Sequence, residues 1–149
     1  MPVSRRRILQ IATLLGLPAL PLKRALASRV KAGFESHDAL EALQLALGSA
    51  ATVASGEIHL DLPEVTNLGA VVPVSVSTSL PAVESITLLA PVNFVPLIAT
   101  YRFDAMTEPF VSTRIKLAKS TQVMAVVKSG GQLFSEKRTI QVNRAGCRV

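Results

Sequence analysis

From Gly56 onward the chain adopts a period of two. Ile58, Leu60 and Leu62 alternate with Glu57, His59 and Asp61 up to Pro63, and Val72, Val74 and Val76 alternate with Pro73, Ser75 and Ser77. Successive side chains of a strand point to opposite faces, so this alternation predicts strands buried on one side only. Further short runs follow at 83–90, 97–104, 110–117, 121–128 and 132–142, separated by turn-forming residues at 67–69, 79–81, 91–96 and 105–109. The Ser129-Gly130-Gly131 step predicts a hairpin joining the last two runs. About seven short strands so punctuated predict an all-β chain, an immunoglobulin-like antiparallel β-sandwich. With 149 residues there is room for one core; with no Trp and aromatics at 4%, that core must be built from Val, Leu, Ile and Ala.

One helix is expected before the strands, over residues 36–47. Ser36 is a capping residue, Asp38 and Glu41 suit the positive end, and Leu40, Leu43 and Leu47 recur at helical spacing before Gly48 stops the run. About three turns of amphipathic helix would lie against the domain or a partner. Its first turn holds His37, which reads as a solvated surface histidine, as does His59 on the polar side of its strand. Met124 reads as core and Met106 is isolated from it; Arg114, Lys116 and Lys119 alternate on an exposed side and read as a solvated face. Two isolated histidines, no glycine-rich phosphate loop and scattered carboxylates give no triad, no metal spacing and no cofactor motif, so the chain is not expected to be an enzyme.

The N-terminus accounts for most of the charge. Arg5 and Arg6 form a twin-arginine pair within Ser4-Arg5-Arg6-Arg7-Ile8-Leu9-Gln10, ahead of an apolar stretch at 11–22 interrupted by Pro18 and Pro21. The pattern is that of a Tat export signal. The stretch is too short to span a bilayer, and Ala25-Leu26-Ala27 offers a small-x-small cleavage site before Ser28. Removing 1–27 takes five of sixteen Lys and Arg and none of the ten Asp and Glu, leaving a net charge of about +1 in place of +6. Nucleic-acid binding therefore loses its warrant. No cysteine lies near the cleavage site, so no membrane anchor is expected after processing, and the destination is the periplasm. The expected division is a signal at 1–27, a helical segment at 28–55, the sandwich at 56–142 and a flexible C-terminal arm at 143–149.

That arm, Asn143-Arg144-Ala145-Gly146-Cys147-Arg148-Val149, holds the single cysteine of the chain. Cys147 cannot pair within its own chain, so its oxidised forms must involve another molecule. A free thiol titrates near ~8.5, and the cations Arg144 and Arg148 favour its thiolate. Gly146, with Ala145 before it, is expected to give the arm its flexibility.

The stretch from Gly56 to Val65, with Asn67, Gly69, Ala70, Val71, Val72, Pro73 and Val74, resembles the SoxY family of sulfur-oxidation carrier proteins. A second block, Val111-Ser112-Thr113-Arg114-Ile115-Lys116-Leu117-Ala118, is similar as well, and the Tat signal and early helix agree. The resemblance implies an immunoglobulin-like sandwich that forms a heterodimer with a SoxZ-like subunit in the periplasm. It also implies a Gly-Gly-Cys-Gly-Gly arm whose cysteine carries thiosulfate-derived sulfur covalently while an oxidising cytochrome and a sulfate-releasing hydrolase act on it. Cys147 matches that cysteine; Ala145 stands for the first glycine and Arg148-Val149 for the last two, adding bulk and charge. Two classes stay open on the sequence: a covalent carrier, and an exported interaction module whose thiol holds no cargo.

Overall fold

The computed structural model describes residues 22–67 and 71–143, with side chains from residue 29 onward. In chain order the elements are α1 (Leu22–Glu35), α2 (Ala39–Leu47), β1 (Val53–Ala54), β2 (Ile58–Asp61), β3 (Val65–Thr66), β4 (Val72–Thr78), β5 (Val83–Leu89), β6 (Leu97–Arg102), β7 (Phe110–Ile115), β8 (Thr121–Ser129) and β9 (Gln132–Val142). The larger sheet has the order β1-β9-β8-β5-β6, with β3 also on β9; the smaller is β2-β4-β7. Packed face to face they form the expected immunoglobulin-like sandwich. Among the described residues, the departure from an antiparallel plan is at the outer side of β9, where β1 and β3 both pair parallel.

The period-two strands behave as their pattern dictates. Ile58 and Leu60 of β2 and Val72, Val74 and Val76 of β4 face inward, while His59, Asp61 and Pro73 face out. They meet Ile86 and Leu88 of β5, Val123, Ala125 and Val127 of β8, and Ile140 of β9 in one apolar interior. Strands β5 and β8 are buried on both faces, because their alternate residues Leu89, Met124 and Val126 pack outward beneath Ala42 and Leu43 of α2. The helix thus roofs the larger sheet and gives the molecule three layers.

The helical segment differs from expectation in three ways. Asp38, not Ser36, is the N-cap: its side chain accepts from the amides of Leu40 and Glu41 at 2.9 and 2.8 Å. Ser36 sits two residues earlier, where its hydroxyl accepts from the Asp38 amide and donates to Glu41 Oε2 at 2.7 Å, bracing the cap. Leu40, expected on the packed face, is 62% exposed; Ala42 takes its place beside Leu43. Finally, the chain holds a second helix, α1, which runs through the expected processing point after residue 27. It approaches α2 closely at Gly33, where a Cβ would stand 3.0 Å from both the Ala42 carbonyl oxygen and the Ala46 Cβ. Among the described residues, no helix is long and apolar enough to cross a membrane.

At one end of the sandwich the β8–β9 hairpin turns through Gly130 and Gly131, both with positive φ (55° and 78°), as a two-residue turn of this hand requires. The neighbouring chain is tied to it: the Gly131 amide donates to Glu84 Oε1 at 2.9 Å, and Lys128 pairs with Glu84 Oε2 at 2.7 Å. The hydrogen bond from Lys128, then that from Gly131, holds the Glu84 carboxyl below the usual carboxylate range.

Leu88→Ala, which empties part of the sealed interior, is expected to lower unfolding free energy by about 2–5 kcal/mol in urea titration, whereas Leu40→Ala is expected to change it by less than ~0.5 kcal/mol. Because folding depresses the Glu84 pKa, its contribution is present above the unfolded carboxylate range and disappears as pH falls through the lowered folded value. The effect is small, since both partners are solvent-exposed enough to be screened. Glu84→Gln is expected to flatten that acid limb in a pH series of thermal melts, leaving any slope above neutrality unchanged.

Candidate functional site: the arm-bearing end

Strand β9 delivers the C-terminal arm to the end of the sandwich opposite the hairpin. Its last residues are gripped from both sides. The amide of Gln141 donates to the Glu64 carbonyl and that of Asn143 to the Thr66 carbonyl, each at 2.8 Å, in the parallel β3 pairing. Between them the Val142 amide donates to Ser120 Oγ at 2.9 Å on the other side. Strand β3 is available for this because Pro63 ends β2 in the smaller sheet, and Glu64-Val65-Thr66 crosses to the larger one. The backbone is therefore fixed to Asn143.

The residues singled out for chemistry, Arg144, Ala145, Gly146, Cys147 and Arg148, lie beyond that anchor and outside the described residues; Arg5 and Arg6, expected to belong to an export signal, are outside them as well. Cys147 is four residues past Asn143, so its Cα can stand at most ~14 Å from the anchor.

Around the anchor, hydrogen bonds join three loops into a collar. Ser120, which holds Val142, ends the β7–β8 connection that begins with Lys116. Asn93, in the β5–β6 connection, clasps that segment: its side chain donates to the Lys116 carbonyl at 2.8 Å and accepts from the Ala118 amide at 3.0 Å. The next residue, Phe94, offers its carbonyl to His37 Nδ1 at 2.8 Å, and the two rings lie 4.2 Å apart between centroids. A carbonyl oxygen can only accept, so His37 Nδ1 carries the proton in this contact. The collar thus runs from the arm's root to the start of α2.

His37 is exposed, as the sequence indicates, but it is also a tether between the helix and a loop 57 residues away, which its local sequence does not signal. His59 faces solvent on β2, Met124 is buried, Met106 is exposed, and Arg114, Lys116 and Lys119 are exposed. Lys116 and Lys119 belong to the collar and flank the arm's root. Among the described residues no group of three His, Cys, Asp or Glu side chains could hold a metal ion. What the arrangement offers is a backbone fixed by hydrogen bonds up to Asn143, four positions before Cys147.

Comparison with known proteins agrees with this geometry. The profile of the family described as "Sulfur oxidation protein SoxY" matches residues 43–147, a span that includes Cys147. The structure of the sulfur carrier protein SoxY from Chlorobium limicola f thiosulfatophilum is similar, with a TM-score of 0.65 and 32% identity over 80% of this chain and 96% of that one. Superoxide reductase (neelaredoxin) from Ignicoccus hospitalis shares the fold, with a TM-score of 0.52 and 22% identity over 58% of this chain and 80% of that one. A singly substituted form of the same reductase gives a TM-score of 0.52 and 23% identity over 66% and 86%. Among curated protein sequences none matches. With the family profile covering most of its length and its structural likeness to a SoxY carrier spanning four-fifths of it, this chain belongs to the SoxY family of sulfur oxidation proteins.

Proposed function

We propose that the protein is a periplasmic sulfur carrier of the Sox thiosulfate-oxidation system, exported by the Tat signal at Arg5 and Arg6, with sulfur intermediates bonded to Cys147. The observation that carries this reading is the coincidence of the family match, which extends to Cys147, with a β9 strand anchored to within four residues of that thiol. A carrier needs a firm body and a thiol within short reach of it, and a strand anchored at Asn143, four positions before Cys147, supports that reading.

The first step balances as an oxidative coupling. The Cys147 thiolate and the outer sulfur of thiosulfate form an S–S bond, giving a cysteine S-thiosulfonate, while two electrons pass to an oxidising cytochrome. A hydrolase then directs water at the terminal sulfonate, releasing sulfate and leaving a persulfide on the arm. Arg144 and Arg148 favour the thiolate that begins the sequence. The tether holds each intermediate at high local concentration for the next enzyme, and the catalytic groups belong to those enzymes. A SoxZ-like subunit is the proposed heterodimer partner, travelling with the Tat-labelled chain. The same arm carries Ala145, Arg148 and Val149 in place of glycines, so its enzymes must accept a bulkier and more cationic terminus.

Intact-protein mass spectrometry after incubation with thiosulfate and the oxidising cytochrome is expected to show one thiosulfate adduct, absent from Cys147→Ser. An unmodified thiol in the presence of a bound SoxZ-like subunit would favour an interaction module instead. The double variant Arg144→Gln/Arg148→Gln is expected to slow iodoacetamide alkylation of Cys147 at neutral pH by about two- to fivefold and to move the pH midpoint of that reaction upward.

A further inference from the structure

Six aromatic side chains serve this protein, and four of them, Phe34, Tyr101, Phe103 and Phe134, pack against the two apolar layers. Phe110, 55% exposed, begins β7 at the hairpin end. Phe94 is 79% exposed and stands in the collar at the arm-bearing end. It is also held in place. Its carbonyl is bonded to His37, its ring lies against the His37 ring, and the preceding Asn93 donates its amide to Ala90 at 3.0 Å while its side chain clasps 116–118. The contact to His37 joins the loop to the start of α2, yet most of the Phe94 side chain still faces water. A pre-ordered aromatic lowers the entropic cost of seating it in a pocket of another protein.

The length of the arm says which protein. If Cys147 carries the cargo, as proposed above, an enzyme acting on it must bring its catalytic groups within roughly 20 Å of Asn143, the ~14 Å reach of the backbone plus the side chain and its cargo. Its surface must therefore come down onto the collar. We propose that Phe94 is the docking anchor for the oxidising cytochrome that loads the arm, inserting into an apolar recess beside the mouth of its active-site channel. Lys116 and Lys119, exposed on the same collar, face carboxylates on that rim. The basic arm itself, with Arg144 and Arg148, suits the same acidic mouth.

The test uses the complete complex of this protein with its partner subunit, the oxidising cytochrome and thiosulfate, following adduct formation at varied carrier concentration. Phe94→Ala is expected to raise KM for the carrier on the order of tenfold or more with kcat nearly unchanged, and Phe94→Tyr to restore it. Lys116→Glu/Lys119→Glu is expected to raise KM and weaken its dependence on ionic strength. Iodoacetamide reactivity of Cys147 should be the same in all of them, since the thiol itself is untouched. An unchanged KM in Phe94→Ala, with the wild-type adduct still forming, would overturn the anchor and leave the carrier reading intact. Loss of partner-subunit association by size exclusion in Phe94→Ala would assign the side chain to the subunit interface and equally overturn it. Absence of any adduct on the wild-type protein would remove the carrier reading and the anchor with it.

Discussion

The hydrogen bonding of β9 is what the rest of the structure depends on. This strand pairs with β8 from Gln132 to Ile140, and its other side is taken by β1 at Phe134 and Ser135 and by β3 at Gln141 and Val142. An exposed edge is thereby closed with two short parallel pieces, each too brief to be stable alone but each extending a ladder already in place. Without β3 the last stretch of the chain before the arm would have one neighbour and would fray. With it, the strand is held from both sides as far as Asn143.

Packing and function are linked through the roof of the sandwich. Because α2 covers β5 and β8, the two middle strands of the larger sheet are sealed on both faces, and the loops that leave them inherit that rigidity. Loop 91–96 leaves β5 directly from Leu89 and Ala90, both fully buried, and returns at Leu97, also buried. The Ala90 amide closes it onto the Pro96 carbonyl at 2.8 Å. Asn93 and Phe94 therefore stand on a stiff mount, and the contact from His37 joins that mount to the helical roof.

How far this was legible in the sequence depended on whether the deciding contacts were local. The alternation in β2 and β4 is visible because each has one wet face, and the turn at Gly130-Gly131 because only glycine adopts two consecutive positive φ angles easily. Cys147 stands out by composition alone. Ser36 and Asp38 are both capping types, and the sequence does not say which one meets the helix amides; the structure gives that role to Asp38 and turns Ser36 toward Glu41. Leu40 carried a helical spacing signal, yet the arc of α2 that meets the sheet is set by where Leu97, Met124 and Leu133 lie. Helix α1 was obscured because its residues also suit the end of an export signal. The short strands β1 and β3 and the link between His37 and Phe94 arise from partners dozens of residues away and leave no periodic trace.

The arrangement at the root of the arm has a mechanical consequence. Ladder bonds run across the strands, so a tug on the C-terminus directed along β9 loads the Gln141, Val142 and Asn143 attachments in shear. They must give way together instead of peeling one after another. A pull on the chain beyond Asn143 is thus resisted by several bonds at once, and the domain behind it is not unzipped from that end.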